Sequence, residues 1–189
     1  MMPMRIRSLA PIARRAVAAI GLTHGLFNVE LFYQPGADSA HDRITIIEIN
    51  PRMAGQFSDP DDRVDGKSLW SLELDLALGR TPRFPHREGR FGAASSFVFR
   101  EFGDAVKQAP PAEQQSWLTA TYPDARLFLD LKHSTSRERE TKWLGNYRYA
   151  LVHMGGTDHD DMMARFDNVC EHLDFDVGPA RAKPSLWQR

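Results

Sequence analysis

The sequence predicts an α+β fold: an antiparallel sheet flanked by helices, followed by a small strand-rich lobe closed by a helix. Three observations carry this. Over the first 80 or so residues the apolar period runs helix, strand, strand, helix, without the strand–helix alternation of a parallel sheet. The two early strands are separated by a polar, turn-forming link, as in a hairpin. The second half is rich in alternating segments until one long amphipathic helix appears near its end.

Leu9, Ile12, Ala13, Val17 and Ile20 recur at helical spacing across residues 8–20, with Arg14 and Arg15 on the other side. Gly21 stands where a left-handed C-terminal cap is needed. Strands follow over residues 25–33 and 43–49, joined by Gln34-Pro-Gly-Ala-Asp-Ser-Ala-His-Asp42. Paired antiparallel, they bring Glu30 near Glu48 and Asn50. Residues 53–65, rich in Asp and Gly, read as a loop. Residues 67–78 read as a helix with Leu69, Leu72, Leu76 and also Leu78 inward, ended by Gly79. A strand is expected over 91–100, a turn region over 105–111 and a short helix over 112–118. Residues 125–132 and 147–154 alternate as strands. Residues 157–173 carry the clearest helical pattern. Thr157 or Asp158 can cap it, and Met162, Met163, Phe166, Val169, Cys170 and Leu173 form its inner stripe. A last strand is expected at 175–177, and residues 178–189 read as a loosely held tail. The expected domains are therefore 1–85, 86–178 and the tail.

With 189 residues, the chain suffices for one domain, or one domain and a small appendage. Its 24 basic and 25 acidic residues argue against a nucleic-acid binder, which carries a basic excess. A single cysteine, Cys170, excludes an internal disulfide framework. No apolar run approaches the roughly 18 residues that span a bilayer. The basic start is followed by a run broken at Arg14 and Arg15, too short for a signal segment. The expectation is a cytoplasmic protein with neither membrane nor nucleic acid as partner.

The chemistry concentrates in two stretches, Gly21-Leu-Thr-His-Gly-Leu-Phe-Asn-Val-Glu30 and Ile44-Thr-Ile-Ile-Glu48-Ile-Asn50-Pro-Arg52-Met-Ala-Gly55. Glu48 and Asn50 are two apart and share one face of a strand, while Ile47 and Ile49 point the other way, into a core. An acid and an amide on one face of an otherwise apolar strand are costly unless something binds them. Two carboxylates and an amide oxygen form a hard-oxygen set suited to magnesium, which also takes phosphate oxygens as ligands.

These residues resemble the metal-binding end of the ATP-grasp superfamily, of the carboxylate–amine ligase type. The likeness covers about residues 15–80 and includes Met53-Ala-Gly55 and the Leu-rich run from Gly66 to Gly79. By that resemblance Glu30 matches the first metal-holding acid and Glu48 the second, often bridging, acid. Asn50 matches the amide ligand, and Arg52 the catalytic arginine that steadies a carboxylate or acyl phosphate. The implied cofactors are ATP and Mg2+, with Mn2+ as a substitute, and Glu30 and Glu48 hold the nucleotide through the metal. The implied reaction phosphorylates a carboxylate, and an amine or thiol then attacks the acyl phosphate. Metal ions offset the repulsion between an anionic carboxylate and an anionic triphosphate.

The remaining polar residues carry blander readings. His24 reads as a turn histidine, and His41, Asp42, Asp59, Asp61 and Asp62 as solvated loop residues. Cys170 reads as a small buried hydrophobe. Ser134 to Lys142 reads as a solvated loop. His159 and His172 are too far apart for a helical metal pair.

The resemblance reaches only the C-terminal portion of such an enzyme. The phosphate-gripping lysines, the glycine-rich loop and the adenine-reading hinge normally precede the helix that opens this chain. The expectation is a chain inactive alone and completed by a missing N-terminal half. The alternative is a non-catalytic remnant that binds a partner or a second copy of itself.

Overall fold

The computed structural model describes residues 9–34, 36, 43–103, 105–131 and 134–175. The elements in chain order are α1 (Leu9–Ala19), β1 (Asn28–Gln34), β2 (Arg43–Asn50), a 3-10 turn (Gly55–Phe57), α2 (Ser58–Asp65), α3 (Leu69–Ala77), β3 (Ala93–Glu101), α4 (Ala112–Thr121), β4 (Arg126–Leu129), α5 (Ser134–Leu144), β5 (Tyr147–Gly156) and α6 (His159–His172). The class is the α+β one expected, with antiparallel sheets flanked by helices. Two compact units divide it: Met1–Ser58 with Lys67–Pro85, and Asp59–Gly66 with His86–Arg189.

In the first unit β1 and β2 form a two-stranded antiparallel sheet, and α1 packs on β2. Both helices of this unit end in the same way. Gly21 N–H donates to Ala18 O and Leu22 N–H to Val17 O; Gly79 N–H donates to Leu76 O and Arg80 N–H to Asp75 O. These are paired C-terminal caps closed by a glycine in the left-handed region, at φ 76° and 69°. The Ser68 side chain accepts from Ser71 N–H and starts α3. Val17 and Leu72 are buried here. Ile47, expected to face a core, is 59% exposed, because the strand bulges at that residue.

The second unit is built on the sheet β3–β5–β4, antiparallel throughout, with β5 in the centre. Val152, Ala150 and Met154 are fully buried and pack with Phe166 and Val169 of α6. Phe97 of β3 stacks on Phe166 with centroids 3.7 Å apart. At the start of α6, Asp158 accepts from Asp161 N–H, and the Asp161 carboxylate reaches back to Thr157 N–H, a reciprocal cap. Two glycines let backbones meet. A Cβ on Gly156 would strike Met162 N and Cα, and one on Gly92 would strike Thr157 O. Gly156→Ala is expected to cost about 1–3 kcal/mol through overpacking, read as a lower urea midpoint with an unchanged slope.

Three sequence readings are corrected. Residues 53–65 are a 3-10 turn and the helix α2, not a loop. Asp59 and Asp61 lie in the first turn of α2, where the helix dipole favours anions, Pro60 fits that turn, and Arg63 bonds Asp59 one turn back at 2.6 Å. Asp59 is thus an ion-pair partner and not a solvated acid. Residues 134–144 form α5 and not a loop. Phe175 is buried but outside any strand. The rest of that expected strand, with the tail, His41 and Asp42, lies outside the described residues. Among the described residues no helix is long and apolar enough to cross a membrane.

Candidate functional site

The hairpin of the first unit assembles the residues singled out by chemistry. Leu31 faces Ile46 across the ladder, so an uninterrupted register would set Ile47 opposite Glu30. A bulge at Glu30/Leu31 lets β2 slip by one residue, and Glu30 faces Glu48, Val29 faces Ile49 and Asn28 faces Asn50. Directly opposed residues share a face, so Asn28, Glu30, Glu48 and Asn50 form a two-by-two set on one side of the hairpin. The bulge therefore creates the acid pair and the amide pair together.

Both carboxylates are exposed, and both amides are half-buried. Asn50 Nδ2 donates to Asn28 Oδ1 at 3.5 Å, which leaves Asn50 Oδ1 available as an acceptor. Like charges directly opposed on a sheet repel. Among the described residues no arginine or lysine is in ion-pair contact with Glu30 or Glu48. A divalent cation between them would remove that repulsion.

Arg52 follows at once. Its N–H donates to Asn50 O at 2.8 Å, closing a tight turn through Pro51. Its guanidinium is exposed and donates to Met53 O at 3.3 Å, so its remaining donors point to solvent and suit a carboxylate or phosphoryl group. The structure thus brings Glu30, Glu48 and Asn50 to one face, with Arg52 at the strand exit.

The donor set fits a hard cation in part. Among the described residues no group of three or more His, Cys, Asp or Glu side chains could hold a metal. Two carboxylates and one or two amide oxygens leave most positions of an octahedral ion to water and phosphate, the usual manner of magnesium in nucleotide sites. Asn28 was missed by the sequence reading. Its signal was present: Asn28-x-Glu30 mirrors Glu48-x-Asn50, as antiparallel strands require.

No protein-family model matches the chain. An 84-residue stretch, 44% of the chain, is 39% identical to carnosine synthase 1 of Gallus gallus and covers 8% of that protein. The fold is similar to the crystal structure of the phosphoribosylaminoimidazole carboxylase ATPase subunit from Aquifex aeolicus. The TM-score is 0.55 at 14% identity, over 87% of this chain and 43% of that one. The chain thus spans less than half the length of each. Both relatives are ATP-grasp proteins, and this chain carries part of the ATP-grasp fold.

Proposed function

We propose that this chain supplies the metal-side wall of an ATP- and Mg2+-dependent carboxylate–amine ligase. Amine and thiol are both chemically suitable nucleophiles. The observation that carries this reading is the bulged pairing of Glu30 with Glu48, with Asn50 on the same face. Glu48 is the bridging acid, Glu30 the first metal-holding acid, and Asn50 an oxygen donor that adds no charge. Magnesium bound there, with Mn2+ as a substitute, would neutralise the triphosphate. Arg52 grips the substrate carboxylate and then the acyl phosphate through its planar fork.

The carboxylate oxygen attacks the γ-phosphorus and ADP leaves. The amine or thiol attacks the acyl carbon and inorganic phosphate leaves. The work of these residues is positioning and charge stabilisation. A nucleotide pocket buries its ligand from two sides, so this wall alone is inactive. Catalysis needs the other half of the ATP-grasp fold, carried on the same polypeptide or on a second one, in a cytoplasmic setting.

The test co-expresses the chain with the reading frame directly upstream of it and follows ADP release from Mg-ATP with mixed amino acids as carboxylate and amine donors. Turnover that needs both polypeptides and Mg2+ is the expected result. Turnover by the chain alone, or turnover indifferent to Mg2+, overturns the reading.

A second reading, a non-catalytic module that associates with itself, draws on one observation. Trp70 and Leu74 of α3 and Leu78, which caps it, recur every fourth residue and are 62%, 59% and 55% exposed. Light scattering separates the two. A concentration-dependent dimer lost in Leu74→Lys favours self-association, and a monomer at all concentrations removes it.

A further inference from the structure

The two faces of the β3–β5–β4 sheet are unlike. Phe97, Phe99, Val152 and Met154 look toward α6 and the apolar core. The alternate residues Ser96, His153 and Arg126 are directly opposed across the three strands on the other face. There His153 meets α2. It is 6% exposed, and its ring lies 4.8 Å from that of Phe128, centroid to centroid. Its Nδ1 is 3.3 Å from Asp59 Oδ2, yet neither ring nitrogen has a hydrogen bond of good geometry.

Asp59 is already engaged, by Arg63 Nε at 2.6 Å and Arg126 Nη1 at 2.9 Å. Arg63 reaches on to Asp124, its Nη2 donating to the backbone oxygen at 2.5 Å and its Nη1 lying 3.4 Å from the carboxylate. Arg165 bonds the other Asp124 oxygen at 2.5 Å and also donates to Gly155 O. The groups facing His153 are thus Asp59 and Arg63 from α2, Arg126 from β4, and the uncharged Ser96 from β3. Three arginines and two aspartates make the knot, and cations already exceed anions by one before His153 takes a proton.

We propose that His153 is an acid-operated release for α2: neutral, it packs beneath the helix, and protonated, it drives the helix off the sheet. The device rests on the fold of the second unit and stands independently of the ligase reading.

The sign follows from the surroundings. Burial pushes the His153 ring below its ordinary value of 6.5; Asp59 opposes this, and Arg63 and Arg126 push it down again. With α2 released, the ring is hydrated and returns toward about 6.5. Between the depressed value and 6.5 the released state binds more protons. Attachment of α2 is therefore complete above about pH 6.5 and weakens as pH falls below it.

Hydrogen exchange over α2, corrected for the intrinsic pH dependence of exchange, tests this between pH 5 and 8. Opening is expected to rise toward about tenfold per pH unit below pH 6.5, the slope of one linked proton. The rise should be confined to α2 and absent in His153→Gln. Arg126→Ala, at an exposed position, should leave the onset near pH 6.5 but make the rise level off at a higher pH and a smaller total, because one cation that depresses the attached ring is gone. An equal slope in wild type and His153→Gln, or equal loss of protection in α2 and α6, overturns the proposal. Should His153→Gln not fold, the ring titration of the wild-type protein by NMR decides: a midpoint below 6.5 supports the device, and one at or above 6.5 ends it.

Discussion

Glu48→Gln is expected to lower kcat of the completed enzyme by about a hundredfold to a thousandfold, the range seen when one charge-stabilising group is removed from a polar transition state. The amide keeps one oxygen but loses the charge that, in the proposed site, would bridge cations. Excess Mg2+ should recover little. The same substitution removes one of two like charges that face each other across the bulge. The chain without metal is therefore expected to gain stability, by about 0.2–1 kcal/mol. Activity and stability move in opposite directions, and this pairing marks a site residue. A structural glutamate would lose both. Steady-state kinetics beside urea unfolding reads the two quantities, and a Glu48→Gln enzyme of normal kcat removes Glu48 from the metal.

The candidate site is legible in sequence because its logic is local. Glu48-x-Asn50 and Asn28-x-Glu30 each need only the period of a strand to align their polar groups. The bulge that pairs them is not legible: Ile44-Thr-Ile-Ile reads as an unbroken strand, and nothing in it says which isoleucine will be extra. α6 was visible for the same local reasons, a cap at Asp158 and a stripe from Met162 to Leu173. α2 was not. Its Ser-Asp-Pro-Asp-Asp-Arg-Val-Asp has a loop's composition, and much of what holds it is long-range. Arg63 finds Asp124, and Asp59 finds Arg126 and His153, at separations no periodicity reports. α5 was missed because a strongly polar helix has no apolar stripe to announce it.

Those long-range contacts carry the second large expectation. Arg63→Ala should destabilise the protein by about 3–5 kcal/mol, the cost of breaking a buried ion pair by removing one partner. The Arg63 side chain is 9% exposed, and it faces Asp59 at 16% and Asp124 at 9%. Without the guanidinium, Asp124 O loses a donor and Asp59 keeps only Arg126 and a neutral imidazole. Lysine should rescue little, because Arg63 spends three nitrogens on two residues and a single ammonium cannot span them. Arg126→Ala is the control. It removes another arginine from the same Asp59, but that side chain is 64% exposed, and the loss should stay within about 0–1 kcal/mol. Urea unfolding of the three variants reads the contrast. If Arg63→Ala and Arg126→Ala fall within 1 kcal/mol of each other, burial is not what gives the knot its strength, and α2 is held by its backbone bonds to Gly89 and Phe91 instead.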